Sequence, residues 1–191
     1  MRLLLDIAIA IVIATGLGFF SAWYAIDRGF VFGRVSVSGW TVWPNAGSQS
    51  ADPYSIAMLA RTGEVPLGAG EGMAFTAETD KAGHPLLGRC DYRVSGLTPS
   101  ARLWTLTAYD GAGHLMTNAA HRQAFHSREL LRRSDGGFDI SVSTAVKPGN
   151  WLPIAPVDRF KLVLRLYDTS VTTGSQIAGL AMPEIVVERC G

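Results

Sequence analysis

The feature that most limits what this chain can become is its strict two-residue alternation. In Phe160–Asp168, FKLVLRLYD, the side chains of Phe160, Leu162, Leu164 and Leu166 share one face, while Lys161, Arg165 and Tyr167 share the other with Val163. Successive strand side chains point to opposite faces, so this period dictates a strand with one side in a core. RLWTLTAYD repeats the pattern, with Trp104, Leu106 and Ala108 opposed by Leu103, Thr105, Thr107 and Tyr109. FDISVST points Phe138, Ile140 and Val142 inward and Asp139, Ser141 and Ser143 outward. MAFTAET from Met73 and LLGRCDYRVSG, separated by the turn DKAG, read as a hairpin, and EIVVER closes the chain. Asp110-Gly111-Ala112-Gly113 is a turn after which HLMTN is expected to return as a strand. About seven or eight short strands separated by turns predict an all-β, mainly antiparallel sandwich or barrel.

One short helix interrupts the pattern. Asp52-Pro53 supplies an N-cap and a first-turn proline, Tyr54, Ala57, Met58 and Arg61 follow at helical spacing, and Gly63 ends the run, which predicts a helix over 53–62. The glycines of GAGEG lack the spacing of a phosphate-binding loop and read as a plain loop.

The N-terminus follows a different rule. The chain of 191 residues is 48% hydrophobic and 17% charged, with a mean hydropathy of +0.19. Soluble domains carry about a quarter charged residues, and here the apolar excess is concentrated in residues 7–26, IAIAIVIATGLGFFSAWYAI, which hold no charge. Such a run is long enough to cross a hydrocarbon core of about 30 Å as a helix, with Trp23 and Tyr24 at the headgroup level. The alternative is a cleaved signal peptide, whose apolar core is shorter, about 7–15 residues, and precedes small residues at a cleavage site. Phe20-Ser21-Ala22 and Trp23-Tyr24-Ala25 put aromatics where small residues are needed. The reading is therefore an uncleaved anchor over 1–28, held in the lipid bilayer through residues 7–26, then a linker or entry segment over 29–52, in which GFVFGRVSVS is either a short strand or the chain's exit from the membrane, and a sandwich domain over 53–191. Arg2 and the terminal amine oppose Arg28 and Arg34, so charge leaves the orientation unset. Trp40 and Trp43, just past the anchor, are expected to pack on the domain. Net charge is +1, without the basic bias of a nucleic-acid binder, so nucleic acid is excluded as a partner.

Chemistry is sparse. Cys90 and Cys190 each lie in a strand-like run; either they form a disulfide, which implies an oxidising compartment, or they are two separate buried thiols. His84, His114, His121 and His126 lack metal-ligand spacing, so no metal and no cofactor is expected. No nucleophile elbow or cysteine–base pair is present, and Asp91, Asp110 and Asp139 read as turn or strand-edge residues, so no catalytic residue is assigned. Asn118, Arg122 and Arg128 occupy an irregular, weakly helical segment where arginine could capture a carboxylate or phosphate, or could tie the loop to the sheet through carbonyls. Arg128, Arg132 and Arg133 read as a solvated basic face. Trp151 in GNWLP is expected to follow a turn and plug one end of the sandwich, with ligand stacking as the sharper alternative.

With these elements placed, the chain resembles a bacterial family, the domain of unknown function 1214. The resemblance is carried by Trp104, Tyr109-Asp110, Gly113, Leu115, Asn118 and Arg122, then by Asn150-Trp151-Leu152-Pro153, and finally by Phe160 with Leu164-Arg165-Leu166-Tyr167. It spans roughly residues 73–187 and is similar to a short, membrane-anchored subgroup; the polar DTSVTTGSQ departs from the family's usual aromatic or proline-rich element. The resemblance implies a jelly-roll-like β-sandwich, a companion domain of unknown function 1254, and no catalytic residues to carry over. The expected protein is a single-pass bacterial inner-membrane protein with a periplasmic domain. Its expected role is a binding or accessory module acting with another envelope protein. A hydrolase or other small-molecule-processing enzyme is the alternative, with a pocket at one end of the sandwich. The residues set aside for a ligand are Asn118, Arg122, Tyr109 and Trp151, with Cys90 and Cys190 for a disulfide.

Overall fold

The computed structural model describes residues 2–27, 33–173 and 177–191. Arg28, residues 29–32 of the expected linker and residues 174–176 of the polar stretch lie outside the described residues. The N-terminal run forms one helix, α1 (Arg2–Asp27), none of whose residues is buried. It is long and apolar enough to cross a membrane, a test that a signal sequence near the N-terminus also meets. The second helix, α2 (Pro53–Thr62), forms where its end signals put it. The Asp52 carboxylate accepts from the Tyr54 and Ser55 amides, 3.0 Å each, and Gly63 ends the helix in the left-handed region at φ 69°.

The rest is β. The strands are β1 (Val35–Val37), β2 (Trp40–Val42), β3 (Gly72–Ala77), β4 (Cys90–Gly96), β5 (Leu103–Asp110), β6 (Ala124–His126), β7 (Phe138–Ser143), β8 (Asn150–Pro153), β9 (Phe160–Tyr167) and β10 (Glu184–Cys190). They form a six-stranded sheet in the order β1-β2-β3-β9-β5-β6 and a four-stranded sheet in the order β10-β4-β7-β8. All pairings are antiparallel except β7 with β8. The alternation places the core as expected: Phe160, Leu162, Leu164 and Leu166 of β9 and Phe138, Ile140 and Val142 of β7 are all buried.

The two sheets face each other through aromatic pairs. Trp104 of β5 meets Phe138 of β7 at 5.0 Å between ring centroids, and Tyr92 of β4 meets Phe160 of β9 edge-on at 5.6 Å. Each such ring contributes about 1.5–3 kcal/mol by leaving water, with a further preference for tilted geometry. Trp40 packs on the domain as expected, fully buried, and donates from Nε1 to the Pro183 carbonyl at 2.7 Å.

Four expectations need correction. The stretch around DKAG is not a hairpin, because β3 and β4 belong to different sheets. A single bridge, Thr79 to Pro85, closes the turn; Leu87 then bridges Arg159 and the chain crosses to the small sheet. HLMTN does not return as a strand either: beyond the Tyr109–Leu115 bridge, the partner of β5 is β6, from the segment expected to be irregular. Asn150, expected with Gly149 to make a turn, instead begins a strand, Asn150–Pro153, laid parallel to β7 at the sheet edge, where the terminal Pro153 is tolerated. Residues 35–42, assigned to the linker, supply β1 and β2, so the large sheet begins well before residue 53.

Candidate functional site

The residues set aside for a ligand do not converge. Asn118, Arg122 and Trp151 meet, but in a loop tie. Asn118 Nδ2 donates to the Arg122 carbonyl (2.7 Å) and the Pro153 carbonyl (3.5 Å), and its Oδ1 accepts from the Arg122 amide (3.1 Å). The Arg122 guanidinium lies 4.9 Å from the Phe125 ring centre and donates from Nη1 to the Trp151 carbonyl at 3.3 Å. Trp151 is half-buried, donates its indole N–H to the Ser143 carbonyl (3.2 Å), and does not plug the sandwich. These contacts hold the segment after β5 against the edge strand β8. The inward neighbour of Trp151, buried Asn150, goes further. Its Nδ2 donates to the Leu131 and Asp139 carbonyls at 2.8 and 2.9 Å, and its Oδ1 accepts from the Leu131 amide at 2.8 Å.

Asp91, Asp110, Asp139 and three of the four histidines are engaged in the frame. Asp91 is buried and paired with Lys147 (2.7 Å) and Arg189 (3.3 Å), and Asp139 pairs with Arg133 (3.2 Å). D-x-A-G-H occurs twice, at 80–84 and 110–114, and folds the same way both times. The aspartate Oδ1 accepts from the amides two and four residues on, and its other oxygen faces the histidine Nδ1, at 3.6 Å for His84 and 3.4 Å for His114. The His114 amide, more than any other contact, holds the Asp110 carboxyl below its ordinary value. His126 pairs with Glu129 at 3.4 Å. Among the described residues no group of three His, Cys, Asp or Glu side chains is placed to hold a metal. Cys90 and Cys190 are joined as a disulfide that fastens the end of edge strand β10 to β4.

Tyr109 belongs to another place, the outer face of the six-stranded sheet. Lys161, Val163 and Arg165 of β9 point out there beside Tyr109 of β5. Arg165 Nη1 donates to the Tyr109 hydroxyl at 3.0 Å, and its guanidinium lies 5.5 Å from the ring centre. This pair accompanies a buried outer row of Thr76, Val163 and Thr107. Opposite stand the C-terminal turn of α2 and Gly63–Val65, which close a groove of 410 Å³. A narrower cleft of 60 Å³ runs on between α2, the 64–69 loop and β3, lined mainly by apolar side chains including Trp43, Met58, Leu59 and Met73. Glu64, Val65 and Arg165 line both spaces. Sequence reading missed Lys161 and Arg165 because outward strand positions are polar by default. The one available signal was that two cations, Lys161 and Arg165, flank a valine, Val163, on the outward face of one strand.

The fold is similar to that of the VPA0106 protein of Vibrio parahaemolyticus, at 26% identity and a TM-score of 0.59 over 73% of this chain and 36% of that one. An uncharacterized Burkholderia cenocepacia protein aligns at 18% identity and a TM-score of 0.41, over 91% of this chain and 50% of that one. The chain thus spans half or less of each of these two chains. The comparison with curated proteins gave no match. The family model described as "Protein of unknown function (DUF1214)" matches residues 71–171, from the start of β3 to just past β9, more than half of the sequence, and the chain belongs to that family.

Proposed function

We propose that this protein is a binding or accessory module tethered to the bacterial inner membrane by α1, with its domain in the periplasm, acting with another envelope protein. The observation that carries this reading is modular. In the Vibrio protein the matching region is 36% of a longer chain, so the same fold is there built beside further structure. The Cys90–Cys190 disulfide supports an oxidising compartment, and the unburied apolar surface of α1 supports anchoring over burial in a fold. A companion of the domain of unknown function 1254 type is the first partner to look for. Binding is favoured over hydrolysis because Asp91, Asp110 and Asp139 are all committed to ion pairs or turns.

Two experiments decide it. Alkaline phosphatase fused after Gly191 should be active in cells; an inactive fusion that is stably made would reverse the orientation. A photo-crosslinking residue placed at exposed positions on each face should capture one envelope protein from one face, at a fixed ratio. Capture of nothing from any face would sink the accessory role.

A further inference from the structure

Arg165 and Lys161 are placed as if for a ligand. Arg165 has the Tyr109 hydroxyl as its hydrogen-bond partner, and the Lys161 ammonium has no ion pair or hydrogen bond among the described residues. Many other cations on the domain face a carboxylate: Lys81 faces Glu184, Arg93 faces Glu188, Arg102 faces Asp168 and Lys147 faces Asp91. Both groove cations are half-buried, so pairing with an anion there gains more than at an open surface. A rigid guanidinium backed by an aromatic ring suits a carboxylate or phosphate.

The adjoining cleft adds the second half of the argument. Its lining residues are mostly apolar, it opens past Arg165 into the groove, whose charged lining residues are Lys161, Arg165 and Glu64, and Val65 at the junction is 85% exposed. A cationic mouth leading to an apolar slot matches one chemistry, a molecule with an acidic head and an alkyl tail.

We infer that the space between α2 and the outer face of the six-stranded sheet is a binding site for an anionic amphiphile. The acid head lies on Arg165 and Lys161 beside Tyr109, and the alkyl chain lies toward Met58, Leu59 and Trp43. The site does not depend on a protein partner. Its position does bear on the source of ligand: Asp27 at the end of α1 accepts from Arg61 at 2.7 Å, two residues before Gly63 of the groove wall. On the anchored reading, the groove therefore opens beside the bilayer surface, where the amphiphile is either a membrane lipid or a free fatty-acid-like molecule.

The test uses the full chain in phosphatidylcholine nanodiscs and octanoate carrying a terminal diazirine, with labelled peptides mapped by mass spectrometry. Saturable labelling of residues 53–67 is expected, at least tenfold weaker for the corresponding alcohol and competed by octyl phosphate. Lys161→Gln alone should weaken labelling about threefold and Arg165→Gln about tenfold; Lys161→Gln carries the test if Arg165→Gln fails to fold. Labelling confined to α1, equal labelling by the alcohol, or indifference to both substitutions overturns the site. Competition by inorganic phosphate as strong as by octyl phosphate overturns the amphiphile and leaves a small-anion site. Repeating the experiment with phosphatidylglycerol in the disc separates the sources: suppressed labelling identifies a bilayer lipid, and unchanged labelling a free amphiphile.

Discussion

Asn150 shows how one polar side chain can hold two segments in register. It is buried, and its three hydrogen bonds join edge strand β8 to Leu131 and to Asp139. Asn150→Ala strands those partners and should cost about 2–4 kcal/mol in urea unfolding. Asn150→Asp is not a rescue, since the two carbonyls would then face a carboxylate. Tyr92 is the comparable aromatic case: its ring is in the core and its hydroxyl accepts from the Leu87 amide at 2.8 Å. Tyr92→Phe should cost about 1–2 kcal/mol by the same measurement. Burial raises the Tyr92 hydroxyl above its ordinary value of 10.0. The stability this gives is complete below the unfolded value and is lost as pH rises through the folded one. Wild type should therefore lose stability above about pH 10, and Tyr92→Phe should lose less.

At the scale of elements, local signals and long-range pairing divide the outcome. Helix α2 carries its own start and stop in Asp52, Pro53 and Gly63, so it was legible in full. Strands β3, β4, β5, β7, β9 and β10 were legible as strands, while β6 and β8 were not, and the partners were not legible for any of them. DKAG turns the chain without making a hairpin, because the hydrogen bonds of β3 go to β2 and β9, and those of β4 to β7 and β10. The β3–β9 contact is tight at its start: a Cβ on Gly72 would lie 2.0 Å from the Leu166 carbonyl oxygen. Gly72→Ala should push β3 off β9 and cost about 1–3 kcal/mol, with hydrogen-exchange protection lost first in Gly72–Ala77. Retained protection there would mean that the strands shift together to make room.

For the whole molecule, the Cys90–Cys190 bond closes a sequence separation of 100 residues. In the chain-entropy account a loop of that length is worth about 4–5 kcal/mol. Reduction should lower the urea midpoint by the corresponding amount, and edge strand β10 should exchange its amides first. Equal midpoints with and without reductant would leave the bond without a stabilising role.

What the sequence determined on its own was local: strand faces from the period of two, the ends of α2 from capping chemistry, and an apolar helix at the N-terminus. These rest on a residue and its near neighbours, so no distant information is needed. The tertiary structure decided which strands pair, that residues 35–42 join the large sheet, that the cysteines bond, and that Tyr109 lies with Arg165 instead of with Arg122. Each joins positions brought together only by the course of the chain between them. A strand's edge carries the same donors and acceptors whichever partner it meets, so only competition among all the strands for one core selects the neighbour.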